Sequence, residues 1–470
     1  MSNHNPTLSK TRLTSAACAL LAALLCLPAA QAADPNAYET NVDPLVGFNL
    51  ISWWNFGGSG VSTWENAVQD VYNAGFREVS ISPVRFINTT TGAIATSSQQ
   101  GPELSHIAAG VARAKALGMR VTVNPFVEPQ GFSSWRGFYD PTPGSGEWTT
   151  FWDDYEEYLV DVAEVAQNNG ADAMNVGTEL RAITRNTGNN IKWASVIAAI
   201  DSEFTGELGY AANWDNFKNN NLTNTIWEHP AIDYVGIDSY FRNTTSNSES
   251  DASGADPNET FIAQVAQGWN DRLDNDILDF ASGLQSGAGL PVVLTEVGYL
   301  PYNRTTVNPQ NSSGAIDTDE QVMAFRGLLR ALNGRADEVP AMHIWQWGMP
   351  GSNGSLWNIN DDLPDQPNNL PLGQFLSSFS SAASLAGDYN GDGAVNAADY
   401  TVWRDALISG DPAADGNGDG TINSEDYDVW ANNFEPNSPG LSTTIPEPTS
   451  MTLLAPLVVW SLLTAEARRR

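Results

Sequence analysis

The sequence predicts an α/β fold, a (β/α)8 barrel, followed by a small α-helical domain built on two calcium loops. Three observations lead there. Between Val46 and Phe379 short apolar runs alternate with amphipathic stretches, the pattern of repeated βα units. No glycine-rich phosphate fingerprint follows the first run, which favours a closed parallel barrel over an open doubly wound sheet. Beyond a Ser, Ala and Gly-rich stretch after Ser377, one acidic segment occurs twice.

The strands expected in order are Gly47 to Ser52, Glu78 to Pro83, Arg120 to Phe126, Ala173 to Glu179, Leu208 to Ala212, Tyr234 to Tyr240, Val292 to Glu296 and Met342 to Trp347. Helices are expected over Thr63 to Ala74, His106 to Leu117, Phe151 to Asn168, Ile262 to Ser282 and Glu320 to Leu332. Gly75, Gly118 and Gly170 stand where three of the helices should stop, as suits a helix C-terminus.

The ends of the chain read as addresses. Lys10 and Arg12, the apolar run Ala16 to Leu27 and the small-residue site Ala30-Gln31-Ala32 form a secretory signal, with cleavage expected before Ala33. That run falls well short of the roughly 20 apolar residues a membrane span needs. The expected division is 1–32 signal, 33–380 barrel, 381–386 linker, 387–436 calcium-loop domain and 437–470 tail. Both cysteines, Cys18 and Cys26, lie in the signal. A disulfide framework, a cysteine nucleophile and a zinc-thiolate site are therefore excluded from the mature chain.

Charge narrows the partners. The chain has 55 acidic and 22 basic residues, a net charge of −33. Nucleic acid and anionic lipid surfaces are thereby disfavoured, whereas a neutral polymer is neither attracted nor repelled. Aromatic residues are numerous, 16 Trp, 13 Tyr and 17 Phe, and their faces suit the apolar faces of sugar rings as well as a core.

Glycosidic cleavage needs a proton donor for the leaving oxygen and a second carboxylate acting on the anomeric carbon or on water. In a barrel both belong at C-terminal strand ends. Glu179 ends Met174-Asn-Val-Gly-Thr-Glu179-Leu and Glu296 ends Val292-Val-Leu-Thr-Glu296-Val-Gly-Tyr299, the fourth and seventh strands.

These two segments, with Gly47-Phe-Asn-Leu-Ile-Ser-Trp-Trp54, resemble clan A of the glycoside hydrolases and most of all family 113, the β-mannanase-type TIM barrels, over roughly Gly47 to Gly348. The resemblance implies Glu179 as acid/base, Glu296 as nucleophile, a retaining mechanism and a β-1,4-mannan substrate. It also implies supporting roles: Arg85 keeping the nucleophile ionised, Tyr240 bonded to the nucleophile, and Trp347 under the reacting sugar, with Trp345 of the same strand parity competing. Trp53, Asn124 and Trp214 are further candidates for substrate contact near strand ends. Thr178 stands where most of the clan has Asn, which leaves the sugar 2-hydroxyl without an obvious donor. Two alternatives stay open, a barrel that binds carbohydrate without cleaving it and a clan relative acting on glucan or galactan.

The repeat places Asp388, Asn390, Asp392, Ala394, Asn396 and Asp399 in register with Asp415, Asn417, Asp419, Thr421, Asn423 and Asp426. Oxygen donors at loop positions 1, 3, 5, 7, 9 and 12, with Gly at 6, suit a hard Ca²⁺ ion in a structural role, while cleavage by two carboxylates calls for no cofactor. Aspartate at position 12 and the paired loops resemble dockerin type I modules, which implies a cohesin-type protein partner. Pro446-Glu447-Pro448, an apolar stretch and Arg468-Arg469-Arg470 resemble a PEP-CTERM sorting tail, implying sorting machinery and a secreted or cell-surface location.

Overall fold

The computed structural model describes residues 44–95, 101–244, 257–311, 313–349, 355–360, 387, 389, 395–409, 414, 416 and 421–434. The expected signal, linker and sorting tail lie outside them, as do Asp388, Asn390, Asp392, Ala394, Asp415, Asn417 and Asp419 of the expected calcium loops. Among the described residues no helix is long and apolar enough to cross a membrane.

Eight parallel strands close into a barrel: β1 (Leu45–Ile51), β2 (Glu78–Ser82), β3 (Arg120–Val123), β4 (Ala173–Thr178), β5 (Glu207–Asn213), β6 (Tyr234–Asp238), β7 (Val292–Val297) and β8 (Ala341–Ile344). Each pairs with its neighbours in sequence, and β1 closes the ring on β8. All eight expected strands are present, shifted at their ends by a residue or more.

Two of the expected runs conceal a break. Pro83 and Pro125 have no N–H to give to a ladder, so the barrel strands stop before them. The chain then forms a separate small sheet in which Val84–Ile87 pairs with Phe126–Pro129 and Ile94–Ala95. That sheet was not foreseen.

The principal helices are α1 (Gly60–Asn73), α2 (Leu104–Ala116), α3 (Gly146–Asn169), α4 (Asn190–Glu203), α5 (Pro257–Arg272) and α6 (Thr318–Leu332). Helix α3 shows why they start and stop where they do. The Ser145 side chain accepts from Trp148 N–H at its start, and Gly170 ends it at φ 77°, a left-handed conformation that glycine adopts without the Cβ penalty. Its inner stripe, including Phe151, Trp152, Tyr155, Leu159 and Val162, is buried, the apolar face that an amphipathic helix lays on the sheet.

The expected helix over Ile262 to Ser282 is interrupted by a π-turn at Leu273–Ile277. Helix α4 and the short helices beside it are additional to the helices expected from the sequence.

Away from the strand C-termini the barrel interior is polar. Glu78 accepts from Arg120 at 3.1 Å and lies 2.9 Å from His343 Nε2. A Cβ at Gly47 would stand 2.6 Å from the Glu78 side chain and 2.7 Å from its carbonyl oxygen, so only glycine lets β1 approach β2 here.

The C-terminal region holds α7 (Ala397–Ser409) and α8 (Ser424–Asn433), with a core of its own around Tyr389, Val395, Ala406, Ala414 and Trp430. The two halves mirror each other. Trp403 donates to the Asn423 carbonyl at 2.9 Å, and Trp430 donates to the Asn396 carbonyl at 2.7 Å. Asp399 and Asp426 are fully buried, and each accepts the N–H three residues earlier at 2.8 Å.

Replacing Gly47 by Ala should destabilise the barrel by about 1–3 kcal/mol, the usual cost of overpacking, read as a lowered denaturant midpoint of the full chain with its far-UV spectrum unchanged.

Candidate active site

Glu179 and Glu296 stand where β4 and β7 release the chain. The strand register shifts just before each, between Asn175 and Thr178 on β4 and between Val293 and Glu296 on β7. Such irregularities bend a strand and re-aim the following side chain. Glu179 has φ 51°, a left-handed conformation costing a non-glycine residue about 1–3 kcal/mol. Its N–H is bonded to the Ala211 carbonyl at 2.8 Å.

Both carboxyls are nearly sealed, Glu179 at 6% and Glu296 at 4% exposure. Glu179 is held by three donors: Asn213 Nδ2 at 2.7 Å, Arg136 Nη2 at 2.8 Å and Trp135 Nε1 at 3.1 Å. Arg136 also donates to Glu128 at 2.8 Å and lies over the Phe126 ring. Burial works to lower the pKa of its guanidinium, but the charges of Glu179, Glu128 and Glu296 outweigh that and hold it above its ordinary value.

Glu296 has one donor, Tyr240 O–H at 2.8 Å, and its Oε1 has no partner among the described residues. Its pKa is pushed up to about 8, chiefly by burial and then by the charge on Glu179, against which Arg136 and the Tyr240 bond work. Asp238, at the end of β6, is also fully buried and accepts from Thr295 at 2.7 Å. Burial and the charges of Glu296 and Glu179 push it well above the usual carboxylate range. The site therefore keeps a proton among acids that cannot all ionise together.

The other candidates divide. Tyr240 meets Glu296 as expected. Arg85 does not: its guanidinium donates to the Val84 and Pro102 carbonyls, bracing the small sheet, and the cation beside the carboxylates is Arg136. Trp347 is 2% exposed and packs on Phe48 in the core, so it has no face to offer a sugar. Trp345 is half-buried and joins Trp53, Phe86 and Phe126 in a separate aromatic cluster.

Asn124 is also fully buried, and its Oδ1 accepts from Asn175 and from Thr178 at 2.8 Å. It fixes the strand before Glu179 and cannot touch substrate. Trp53 and Trp214 are half-buried, Trp53 against Phe132 and Trp214 against Phe241.

The sequence reading missed Trp135, Arg136, Glu128, Asn213 and Asp238. Asn213 and Asp238 end strands, and that position was the available signal. Trp135 and Arg136 come from the long loop between β3 and α3, where no periodicity gives direction. Length alone marks such a loop as functional.

Residues 62–356 match the model of Glycoside Hydrolase Family 113. The chain belongs to this family. Residues 386–435 match the dockerin type I domain, so a glycoside hydrolase barrel is followed by a dockerin. A family 113 β-mannanase from Alicyclobacillus acidocaldarius is similar in fold, with TM-score 0.54 and 17% identity over 74% of this chain and all of that one. A second structure, a family 113 β-1,4-mannanase, has TM-score 0.52 and 14% identity over 72% of this chain and 99% of its own. No curated protein sequence matches the chain.

Replacing Tyr240 by Phe should move the Glu296 titration to higher pH, because it removes the donor that favours the ionised carboxylate. Carbon-13 spectra of glutamate-labelled protein would show it. Arg136→Gln should cost about 3–5 kcal/mol of stability, since it leaves two buried carboxylates without their cation, measured by chemical denaturation.

Proposed function

We propose that the protein is an exported, retaining β-mannanase in which Glu179 is the acid/base and Glu296 the nucleophile. The observation that carries this reading is the pair of largely buried carboxyls at the ends of β4 and β7, one clamped by Asn213, Trp135 and Arg136 and the other bonded by Tyr240. The β-mannanase and β-1,4-mannanase named for the two similar structures support mannan as substrate.

In the first step Glu296 attacks the anomeric carbon and Glu179 gives its proton to the leaving oxygen. In the second Glu179 takes a proton from water, which displaces Glu296. Arg136 donates to both Glu179 and Glu128 at 2.8 Å and so fixes the position of the acid. Trp345, Trp53 and Trp214 supply aromatic faces for sugar rings.

The chain divides as signal 1–32, barrel 33–380, linker 381–386, dockerin 387–436 and sorting tail 437–470. The dockerin loops would hold two structural calcium ions, and the module would present a surface to a cohesin-type partner outside the cell. The donor set fits that ion: the loops are rich in aspartate and asparagine, and Asp399 and Asp426 are buried carboxylates at the closing position of each.

Glu179→Gln and Glu296→Gln should each nearly abolish mannan hydrolysis with the fold retained, and full activity in either would end the assignment. A 2-fluoro mannoside with a good leaving group should label Glu296, as located by mass spectrometry of peptides. Labelling of Glu179 would reverse the roles.

The profile of kcat/KM should be bell-shaped with its alkaline limb near 8. The pair retains a proton up to the pH to which Glu296 is pushed, and above it no acid remains.

Chelation should lower the thermal stability of the dockerin without slowing hydrolysis, and Asp388→Ala with Asp415→Ala should remove the calcium response in titration calorimetry.

A further inference from the structure

Tyr240, the residue bonded to Glu296, lines one cavity, and a second adjoins that cavity. The first, about 210 Å³, is lined by Trp214, Tyr240, Arg242, Arg272, Asn308 and Gln310 among others. The second, about 390 Å³, shares Arg242, Val307 and Asn308 with it and adds Asn303, Arg304 and Asn311. The shared residues place the two parts of this hollow side by side, and the second part lies within the roughly 300–1,000 Å³ of small-molecule sites.

Its charge is the reverse of the chain's. The protein carries −33, yet no carboxylate among the described residues lines the larger cavity. Asp276, in the smaller one, is already paired with Lys218 and with Arg272.

Arg242 and Arg304 are exposed. Neither side chain makes a hydrogen bond or ion pair with a described residue. Their loops are tied together. Asn243 N–H donates to the Thr306 carbonyl at 2.9 Å, and the Thr244 and Thr306 hydroxyls are 2.8 Å apart.

Arg304 has φ 67°, and its N–H is held by the buried Glu320 at 2.6 Å. Backbone strain of that kind persists only where the surroundings impose it, and it gathers at ligand clamps.

We propose that this hollow receives an anionic sugar of the glycan, one carrying a carboxylate or a sulfate ester, next to the bond being cleaved. The inference rests on the glycanase reading above and narrows its substrate to a mannan-type backbone with acidic substituents. Guanidinium groups pair with both anions through two parallel N–H bonds. Two unpaired arginines on adjoining loops therefore suit a charged substituent far better than a hydroxyl-bearing neutral ring.

The test uses the full chain and its Arg242→Gln/Arg304→Gln double variant. Three mannooligosaccharides are compared: one with a glucuronate branch, the same compound after reduction of the carboxyl to a primary alcohol, and one bearing a sulfate ester. Turnover is read as kcat/KM, and affinity by calorimetry on Glu296→Gln chains with and without the two arginine changes.

The expected result is an advantage of about tenfold for an acidic compound over the reduced one, weakening with added salt as screening requires. The double variant should lose it while turning over the reduced compound within twofold of the parent. Whichever acidic compound has the larger advantage identifies the substituent. Equal rates and affinities for acidic and reduced compounds, or an advantage that survives in the double variant, would overturn the proposal. Should no mannooligosaccharide be cleaved, the mannanase reading fails on its own, and the affinity comparison still decides for or against the anion site.

Discussion

Like charges cannot be buried face to face without a cation between them and the solvent they have left. In this barrel that cation is Arg136. It reaches Glu128 on one side and Glu179 on the other, and its charge is felt at Glu296 and Asp238 beyond. The loop between β3 and α3 must fold over the strand ends to deliver it. Trp135 rides on the same loop and adds its own bond to Glu179. The strained backbone at Glu179, the register shifts before both carboxyls and the sealing of the site are tolerable together because this one side chain balances what they bury.

The fold was legible because parallel barrel strands, covered on both faces, must read as apolar runs. The two carboxylates were legible because each ends such a run. What a run cannot show is where the ladder stops inside it. Pro125 divides the third run, so Asn124 turns inward to hold Thr178 instead of facing a ligand.

The same limit explains the tryptophans. Trp345 and Trp347 share strand parity, but β8 ends at Ile344, and past it the alternation no longer says which ring faces out. Arg85 and Arg136 differ in another way. Arg85 follows a strand and drew notice for that, while Arg136 lies in a loop whose path depends on contacts distant in sequence. The dockerin repeat was readable from spacing alone, since oxygen donors at fixed loop positions are a property of sequence.

Net charge and local charge give different answers about what the protein meets. A strongly acidic chain repels polyanions at long range, over distances that salt shortens to about 8 Å under physiological conditions. Inside a hollow lined by Arg242 and Arg304 the sign is set by the nearest groups. An anion carried on an otherwise neutral polymer can be brought there by the sugar contacts of its neighbours.

The reciprocal bonds of the dockerin carry a consequence for its failure. Each tryptophan anchors in the opposite loop, Trp403 at Asn423 and Trp430 at Asn396, so each half is finished by its twin. A single copy would leave an indole N–H and a loop carbonyl without their partners. Each half of this small core therefore completes the other, and damage to either loop should be transmitted to both.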